Sequence, residues 1–292
     1  MKRMNLIKTA VTVWLVMLGI TVTAQENVPA LFEYVQAPDT CQSLESRSNY
    51  VLAHFWDGFD LTKPITADAS LLKTMRDYVD VFRFGHRTVV LSSVRDLMFK
   101  LRSNAYNLRK VGQVAELLLY SPFADYWSDE VYVEFARSLA AATVLKKEER
   151  DYYGQQIGRI TTCQDGMAID LDIVDAVNGQ KMKLSSVSTG NVMLLVFMDS
   201  SVDSSIGRTR LSTDVNLTRL VDEGQVTVMC LYDGKPSDDW ASSLPDKWVK
   251  GYAQNLTSKL DIRMMPSCYV LDAEYKIMNK NITVAEFKQA IE

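Results

Sequence analysis

The sequence predicts two domains of different class: an all-α domain over residues 25–158 and a mixed α/β domain over residues 159–292. Three observations support this division. Apolar residues recur at helical spacings of three and four from residue 44 to residue 157. Beyond Gly158 the pattern changes to alternating and continuous apolar runs, which are typical of strands. A chain of 292 residues is also long enough to build two separate cores.

The N-terminal segment, residues 1–24, has the pattern of a secretory signal peptide. It begins with three basic residues, continues with an apolar run over residues 10–22 and ends in the small residue Ala24. The run is shorter than the roughly 20 residues of a transmembrane helix, and an uncleaved anchor is the alternative. We expect cleavage after Ala24 and a periplasmic mature protein without a transmembrane helix.

The composition is that of a globular protein. Hydrophobic residues make up 47% of the chain and charged residues 23%, which excludes fibrous and disordered classes. The formal net charge is −4, and the sequence has no cluster of Lys and Arg. This acidic balance argues against nucleic acid or an anionic membrane surface as a partner.

The cysteines and histidines do not form a redox or metal motif. The chain has four cysteines and two histidines: Cys41, Cys163, Cys230, Cys268, His54 and His86. The cysteine spacing excludes CxxC, and two isolated histidines argue against a His/Cys metal cluster, so no metal or cofactor is expected. We interpret Cys230 and Cys268 as buried free thiols separated by one strand, and a Cys41–Cys163 bridge is conceivable.

The first domain is predicted to contain five or six amphipathic helices behind an extended lead. Ser128 and Asp129 form a plausible cap for one of them. The predicted helices lie around residues 44–55 and 71–82 and at Val89–Leu101, Asn107–Leu119, Glu130–Ala142 and Glu148–Ile157.

The second domain is predicted to begin with a hairpin that turns at Asn178 and Gly179. A continuous apolar strand, a helix and a second apolar strand follow as a parallel βαβ unit. The predicted elements after the hairpin are strand 192–198, helix 203–221, strand 226–232, short helices 238–244 and 252–259, strands 267–271 and 275–278, and a final helix from Thr283. This order is that of a thioredoxin fold, a mixed β-sheet flanked by helices.

Two stretches, residues 192–199 and Met265–Asp272, resemble the TlpA/ResA-type thioredoxin-like family. In that family the apolar strand ends in a loop that carries CxxC at the start of a helix, and a cis-proline faces the loop from a later strand. The resemblance assigns the cis-proline position to Pro266 and the cysteine positions to Val202 and Ser205. The sequence there reads Val-Asp-Ser-Ser, a degenerate redox site.

The helical half resembles an uncharacterised domain that precedes thioredoxin-like domains in exported bacterial proteins. The resemblance rests on the run Arg47–Asp60 and on Tyr120–Phe123. Together the two resemblances cover nearly the whole chain after residue 24.

The leading functional hypothesis is a non-catalytic periplasmic protein that binds an extended peptide or an envelope protein. Thiol exchange needs a thiolate, which Val202 and Ser205 cannot supply. Peptide pairing beside Pro266 requires only main-chain groups. The candidate binding residues are Asp199, Asp203, Met265 and Pro266, although the aspartates could merely cap a helix and Met265 could be a packing residue.

Two alternatives remain open at the level of the sequence. The protein could be a divergent thiol–disulfide oxidoreductase that uses a lone cysteine such as Cys268. The helical domain could instead carry the function, as a binding site for a sugar or another cell-envelope ligand.

Overall fold

A computed structural model describes residues 28–187 and 192–291 of the chain. The predicted signal peptide, residues 1–24, lies outside the described residues. The chain divides into two compact units between Gly154 and Gln155. Within the described ranges, no helix has both the length and the hydrophobicity needed to cross a membrane.

The first unit is helical, as predicted. Its helices are α1 Leu44–His54, α2 Asp68–Val81, α3 Arg87–Leu101, α4 Ala105–Leu119, α5 Asp129–Ala141 and α6 Lys147–Thr162, the last of which continues past the division. The predicted cap of α5 is confirmed, because the Ser128 hydroxyl accepts a hydrogen bond from the backbone N–H of Val131. His86 caps α3, whereas His54 lies half-exposed beside Asp57.

A buried asparagine, Asn107, joins the start of α4 to the loop that precedes α2. Its side-chain oxygen accepts from the backbone N–H of Ile65 at 2.9 Å. Its side-chain nitrogen donates to the backbone carbonyls of Leu61 and Lys63, both at 2.8 Å. All three contacts satisfy main-chain groups that helices and strands leave unpaired, so Asn107 is a structural residue of this loop.

The second unit is a seven-stranded mixed sheet in the order β2-β1-β5-β4-β3-β6-β7. Its strands are β1 Asp172–Asp175, β2 Lys181–Lys183, β3 Val192–Met198, β4 Val226–Asp233, β5 Val249–Ala253, β6 Ser267–Asp272 and β7 Ile277–Ile282. Its helices are α7 Val202–Ser212, α8 Val215–Asp222, α9 Leu256–Lys259 and α10 Val284–Ile291. β3 pairs in parallel with β4 and antiparallel with β6, so the predicted βαβ unit is confirmed.

The continuous apolar sequence of β3 follows from burial on both faces of the sheet. Leu194 and Val196 pack toward α7, α8 and α10. Leu195 and Phe197 pack on the opposite face, toward Cys163 and α9. A strand in this position has no polar face, which explains why its sequence does not alternate.

Four predicted elements of the second unit are wrong in detail. The helix predicted over residues 238–244 is only a short 3-10 turn, Ala241–Ser243. The helix predicted over residues 203–221 is broken into α7 and α8, because the Asp214 carboxylate caps a new helix start by accepting from the backbone N–H of Leu217 at 2.9 Å. The helix predicted over residues 252–259 begins only at Leu256, since the preceding residues form β5 beside β4. The last strand is β7 rather than residues 275–278.

Candidate functional site

The start of α7 is organised by serine and aspartate side chains. The Ser201 hydroxyl accepts a hydrogen bond from the backbone N–H of Ser204 at 3.1 Å, which is a helix N-cap. The Asp199 carboxylate accepts from the Ser204 hydroxyl at 2.8 Å and from the backbone N–H of Ser201 at 2.9 Å. Ser204 is buried, so these bonds fix the strand-to-helix turn.

The two residues aligned with redox cysteines lie on the outer side of the first turn of α7. The Val202 side chain is 74% exposed. Ser205 is also exposed, and its hydroxyl accepts a hydrogen bond from the Arg208 guanidinium at 3.2 Å. The same guanidinium donates to the hydroxyl of Ser243 at 2.5 Å, which ties α7 to the loop after β4. Neither residue has the chemistry of a thiol.

Pro266 follows a cis peptide bond and packs directly against α7. A Cβ atom added to Gly207 would lie 2.6 Å from Cγ of Pro266, so only a glycine permits this approach. Within the described chain, the backbone N–H groups of Met264 and Met265 donate no hydrogen bond. Both methionines are half-buried.

A buried charge cluster lies immediately before the Met264–Pro266 segment. The Asp261 carboxylate accepts from the Arg263 guanidinium at 2.8 and 3.2 Å and from the Lys280 ammonium at 2.7 Å. Burial raises the pKa of Asp261, but the hydrogen bonds and charges of Arg263 and Lys280 outweigh burial and hold it below its ordinary value. Asp261 is therefore a buried carboxylate that stays ionised.

Main-chain contacts hold the same segment in place. The Asn281 side chain donates to the backbone carbonyl of Asp261 at 2.6 Å and accepts from the backbone N–H of Arg263 at 3.1 Å. The Tyr269 hydroxyl donates to the same Asp261 carbonyl at 2.7 Å. These bonds hold the backbone of Asp261 and Arg263, which leads directly into the two unpaired donors.

The cysteines are separate from this site and from one another. All four are free thiols, so the conceivable Cys41–Cys163 bridge is not formed. Cys230 and Cys268 face Val196 from the two strands that flank β3, as expected. Both are fully buried, and burial raises the pKa of Cys268 to about 12 and that of Cys230 further. At neutral pH both are protonated and inaccessible.

The structure brings most of the predicted site residues to one end of the sheet. Asp199 and Asp203 lie at the start of α7, and Met265 and Pro266 lie at the start of β6, joined through Gly207. Sequence reasoning missed Gly207, whose only signal is a glycine inside a predicted helix. It also missed the Asp261 cluster, because no local pattern links residues so far apart. Among the described residues, no group of His, Cys, Asp and Glu could hold a metal ion.

Comparison with known families agrees with the two-part organisation. Residues 5–161 match the model of the domain of unknown function DUF5106. The chain belongs to this family. The predicted uncharacterised helical domain followed by a thioredoxin-like domain is thus confirmed. No curated protein matches the sequence at a significant level.

Solved structures establish the fold. A thioredoxin-like protein from Bacteroides caccae is similar with a TM-score of 0.75 and 18% identity, over 90% of this chain and 99% of its own. A domain of a possible thiol-disulfide isomerase from Cytophaga hutchinsonii matches 44% of this chain and 90% of its own, at 21% identity and a TM-score of 0.36. The thioredoxin domain of a thiol-disulfide oxidoreductase from Bacteroides vulgatus matches 44% of this chain and 99% of its own, at 17% identity and a TM-score of 0.35. The first likeness shows the fold alone, and the other two add no argument to it.

Proposed function

We propose that this DUF5106 protein is an exported periplasmic binding protein with a degenerate thioredoxin-like site. Its C-terminal domain holds an extended peptide or a segment of an envelope protein at the Met264–Pro266 segment, without thiol–disulfide chemistry. The observation that carries the proposal is the pairing of two features at one place. The start of α7 presents Val202 instead of sulfur, and the Met264 and Met265 backbone donors are unpaired within the described chain.

The arrangement suits strand-like binding. An extended peptide gains main-chain hydrogen bonds from donors that a fold leaves open. The segment that carries these donors is held by the Asp261 cluster and by Asn281. Binding therefore costs little conformational entropy, because this backbone is already ordered. A held segment with unpaired donors, which contacts through Gly207 a helix start that carries no sulfur, suits ligand binding better than thiol exchange.

The divergent oxidoreductase is the less favoured reading because its candidate nucleophile is inaccessible. Cys268 is fully buried, and its raised pKa keeps it protonated at neutral pH. A thiol must be ionised and reachable to attack a disulfide. Cys268 meets neither condition, which disfavours disulfide exchange at this residue.

The proposal is tested by hydrogen exchange with a permanently unfolded probe, reduced and carboxymethylated lactalbumin. This probe has no thiol, so any effect reports binding rather than exchange chemistry. The expected result is slower amide exchange at Met264 and Met265 when the probe is added, with no change at β2 on the far edge of the sheet. Protection confined to other segments, or no protection at saturating probe, contradicts the proposal.

A further inference from the structure

A groove of about 790 Å³ lies along strands β2, β1 and β5 of the second unit. This volume is typical of sites that bind small molecules. β2 is one edge of the sheet, whereas the Met264–Pro266 segment leads into β6 near the other edge. The groove is therefore a second site, and what it binds does not depend on the proposed function.

The strand register shows which side chains face this groove. Ile173 and Ala253 belong to the apolar core around Cys163, and Met182 packs against that core. Because side chains alternate along a strand, the sequence neighbours of these three residues lie on the opposite face of the sheet. The neighbours are exposed or half-buried, and all of them line the groove. We define them as the groove face: Asp172, Val174, Lys181, Lys183, Tyr252 and Gln254.

Four polar groups of the groove face are unpaired within the part of the chain that the structure describes. The Lys181 ammonium and the Asp172 carboxylate form no ion pair there. The Tyr252 hydroxyl and the Gln254 amide form no hydrogen bond there. A ligand can therefore bind these groups without breaking a contact of the fold.

The positive charges of this face are unevenly placed. Lys181 and Lys183 are both on β2 and are exposed. Lys250 adds a third cation from β5, since it lies two residues before Tyr252 and therefore on the same face. It is buried and forms no ion pair within the described ranges. The β2 side of the groove, where two lysines are neighbours, therefore attracts an anionic group.

Two carboxylates limit this positive charge. An oxygen of Asp170 lies 3.4 Å from the Lys183 ammonium, and Asp172 lies opposite Lys183 on β1. In the turn before β7, Glu274 and Lys276 form an ion pair with each other and add no net charge. Three ammonium groups against two carboxylates leave one positive charge in excess. Asp172 repels a second carboxylate of a ligand, but it accepts hydrogen bonds from neutral hydroxyl groups.

We infer that this groove binds an acidic saccharide, a short chain of hexuronic acid residues. A carboxylate of the sugar lies at Lys181 and Lys183. Ring hydroxyls donate to Asp172, and the apolar face of a ring packs on Tyr252. A sugar acid carries carboxylate and hydroxyl groups on one rigid ring, so it satisfies groups of both signs with little loss of conformational entropy. An acidic peptide offers carboxylates without such hydroxyls, and Asp172 repels them.

Isothermal titration calorimetry of the full-length mature chain tests this inference with matched probes. The probes are the trimers of galacturonic acid and of glucuronic acid, the methyl ester of the galacturonic acid trimer, and triglutamate. At least one uronic acid trimer is expected to bind, with an affinity that falls as salt rises, because exposed charge pairs are screened. The ester, which keeps the rings but loses the ion pairs, and triglutamate, which keeps the charges but lacks the rings, should each bind about fivefold more weakly.

Paired variants separate the groove from the overall charge of the protein. Lys181→Gln should weaken binding of the trimer about threefold. Lys259→Gln, at an exposed lysine of α9 on the other face of the sheet, should leave the affinity unchanged. Tyr252→Leu should weaken binding about fivefold, whereas Tyr252→Phe keeps the ring and should retain it. Asp172→Ala should also weaken binding, although charge attraction alone predicts tighter binding once this carboxylate is removed.

Four results would overturn the inference. They are no binding of either uronic acid trimer, equal binding of the ester or of triglutamate, tighter binding by Asp172→Ala, and an effect of Lys259→Gln as large as that of Lys181→Gln. Protection of the three buried cysteines from thiol labelling shows that each variant is folded. None of these results bears on the Met264–Pro266 segment, which hydrogen exchange with the unfolded probe tests separately.

Discussion

Replacing Gly207 by alanine tests the contact between α7 and the Pro266 segment. The added Cβ would lie 2.6 Å from Cγ of Pro266, where ordinary contact begins at 3.4 Å, so the overlap is about 0.8 Å. The proline ring cannot rotate away from it. The segment behind the ring is also held by the Asp261 cluster, so relief requires backbone movement.

The expected magnitude comes from comparing this change with Gly158→Ala in α6. Gly158 has no atom within 4 Å of the added Cβ, so alanine should raise the free energy of unfolding by about 0.5–1 kcal/mol through backbone entropy alone. Gly207→Ala has the same helical benefit but adds an overpacking cost of about 1–3 kcal/mol. The two variants should therefore differ by about 2 kcal/mol.

Thiol labelling in urea measures this difference within the second unit. Cys163, Cys230 and Cys268 all lie in that unit and are fully buried, so each is labelled only on opening. With a urea dependence of about 2 kcal/mol per molar, the midpoint of Gly207→Ala should lie about 1 M below that of Gly158→Ala. Equal midpoints, or a higher one for Gly207→Ala, would refute the packing argument.

Four further predictions concern Asp261, Asn107 and the cysteines. Asp261→Asn should lower the free energy of unfolding by about 3 kcal/mol, because two buried cations lose their carboxylate; urea unfolding checks this. Since the pKa of Asp261 is held below its ordinary value, its stabilisation is present above about pH 4 and lost as pH falls further, and Asp261→Asn should flatten that acid limb of a pH titration. Asn107→Ala should cost about 2–4 kcal/mol and speed amide exchange at Ile65, whereas unchanged exchange would contradict its role. In the native protein an aromatic disulfide reagent at pH 8 should label Cys41 and leave Cys268 unlabelled. Mass spectrometry of the peptides identifies the labelled cysteine, and label on Cys268 would contradict the prediction.

The helices of the first unit were predictable because each buries one side against its neighbours. This burial produces apolar residues at spacings of three and four, as in α2. The predicted cap at Ser128 is equally local, since a capping side chain bonds a residue only three positions away. Helix positions could therefore be read from short windows of sequence.

One of the missed elements depends on distant partners. β5 is five residues long, contains Gly251 and is a strand only because β4 and β1 pair with it, so tertiary pairing outweighs local preference there. The break between α7 and α8 is different, because Asp214 caps Leu217 only three residues away and is a local signal inside the run that was predicted as one helix. Its carboxylate also binds the Lys288 ammonium at 3.0 Å.

The candidate site was predictable only where the resemblance supplied landmarks. Pro266, Val202 and Ser205 follow from matching two short stretches to a family pattern. The groups that organise the site come from far apart in the chain: Asp261 meets Lys280, and Gly207 meets Pro266. No periodicity in a single sequence records such contacts. The sequence therefore indicated where the site lies, but not the long-range contacts that hold its segments in position.

The most direct test of a thioredoxin-like site without thiol chemistry is the insulin reduction assay with dithiothreitol. The wild-type chain should give only the background rate. The variant Val202→Cys with Ser205→Cys serves as the control, since it restores two thiols in the first turn of α7 and should raise the rate. Wild-type activity above background that disappears in Cys268→Ala would contradict the account.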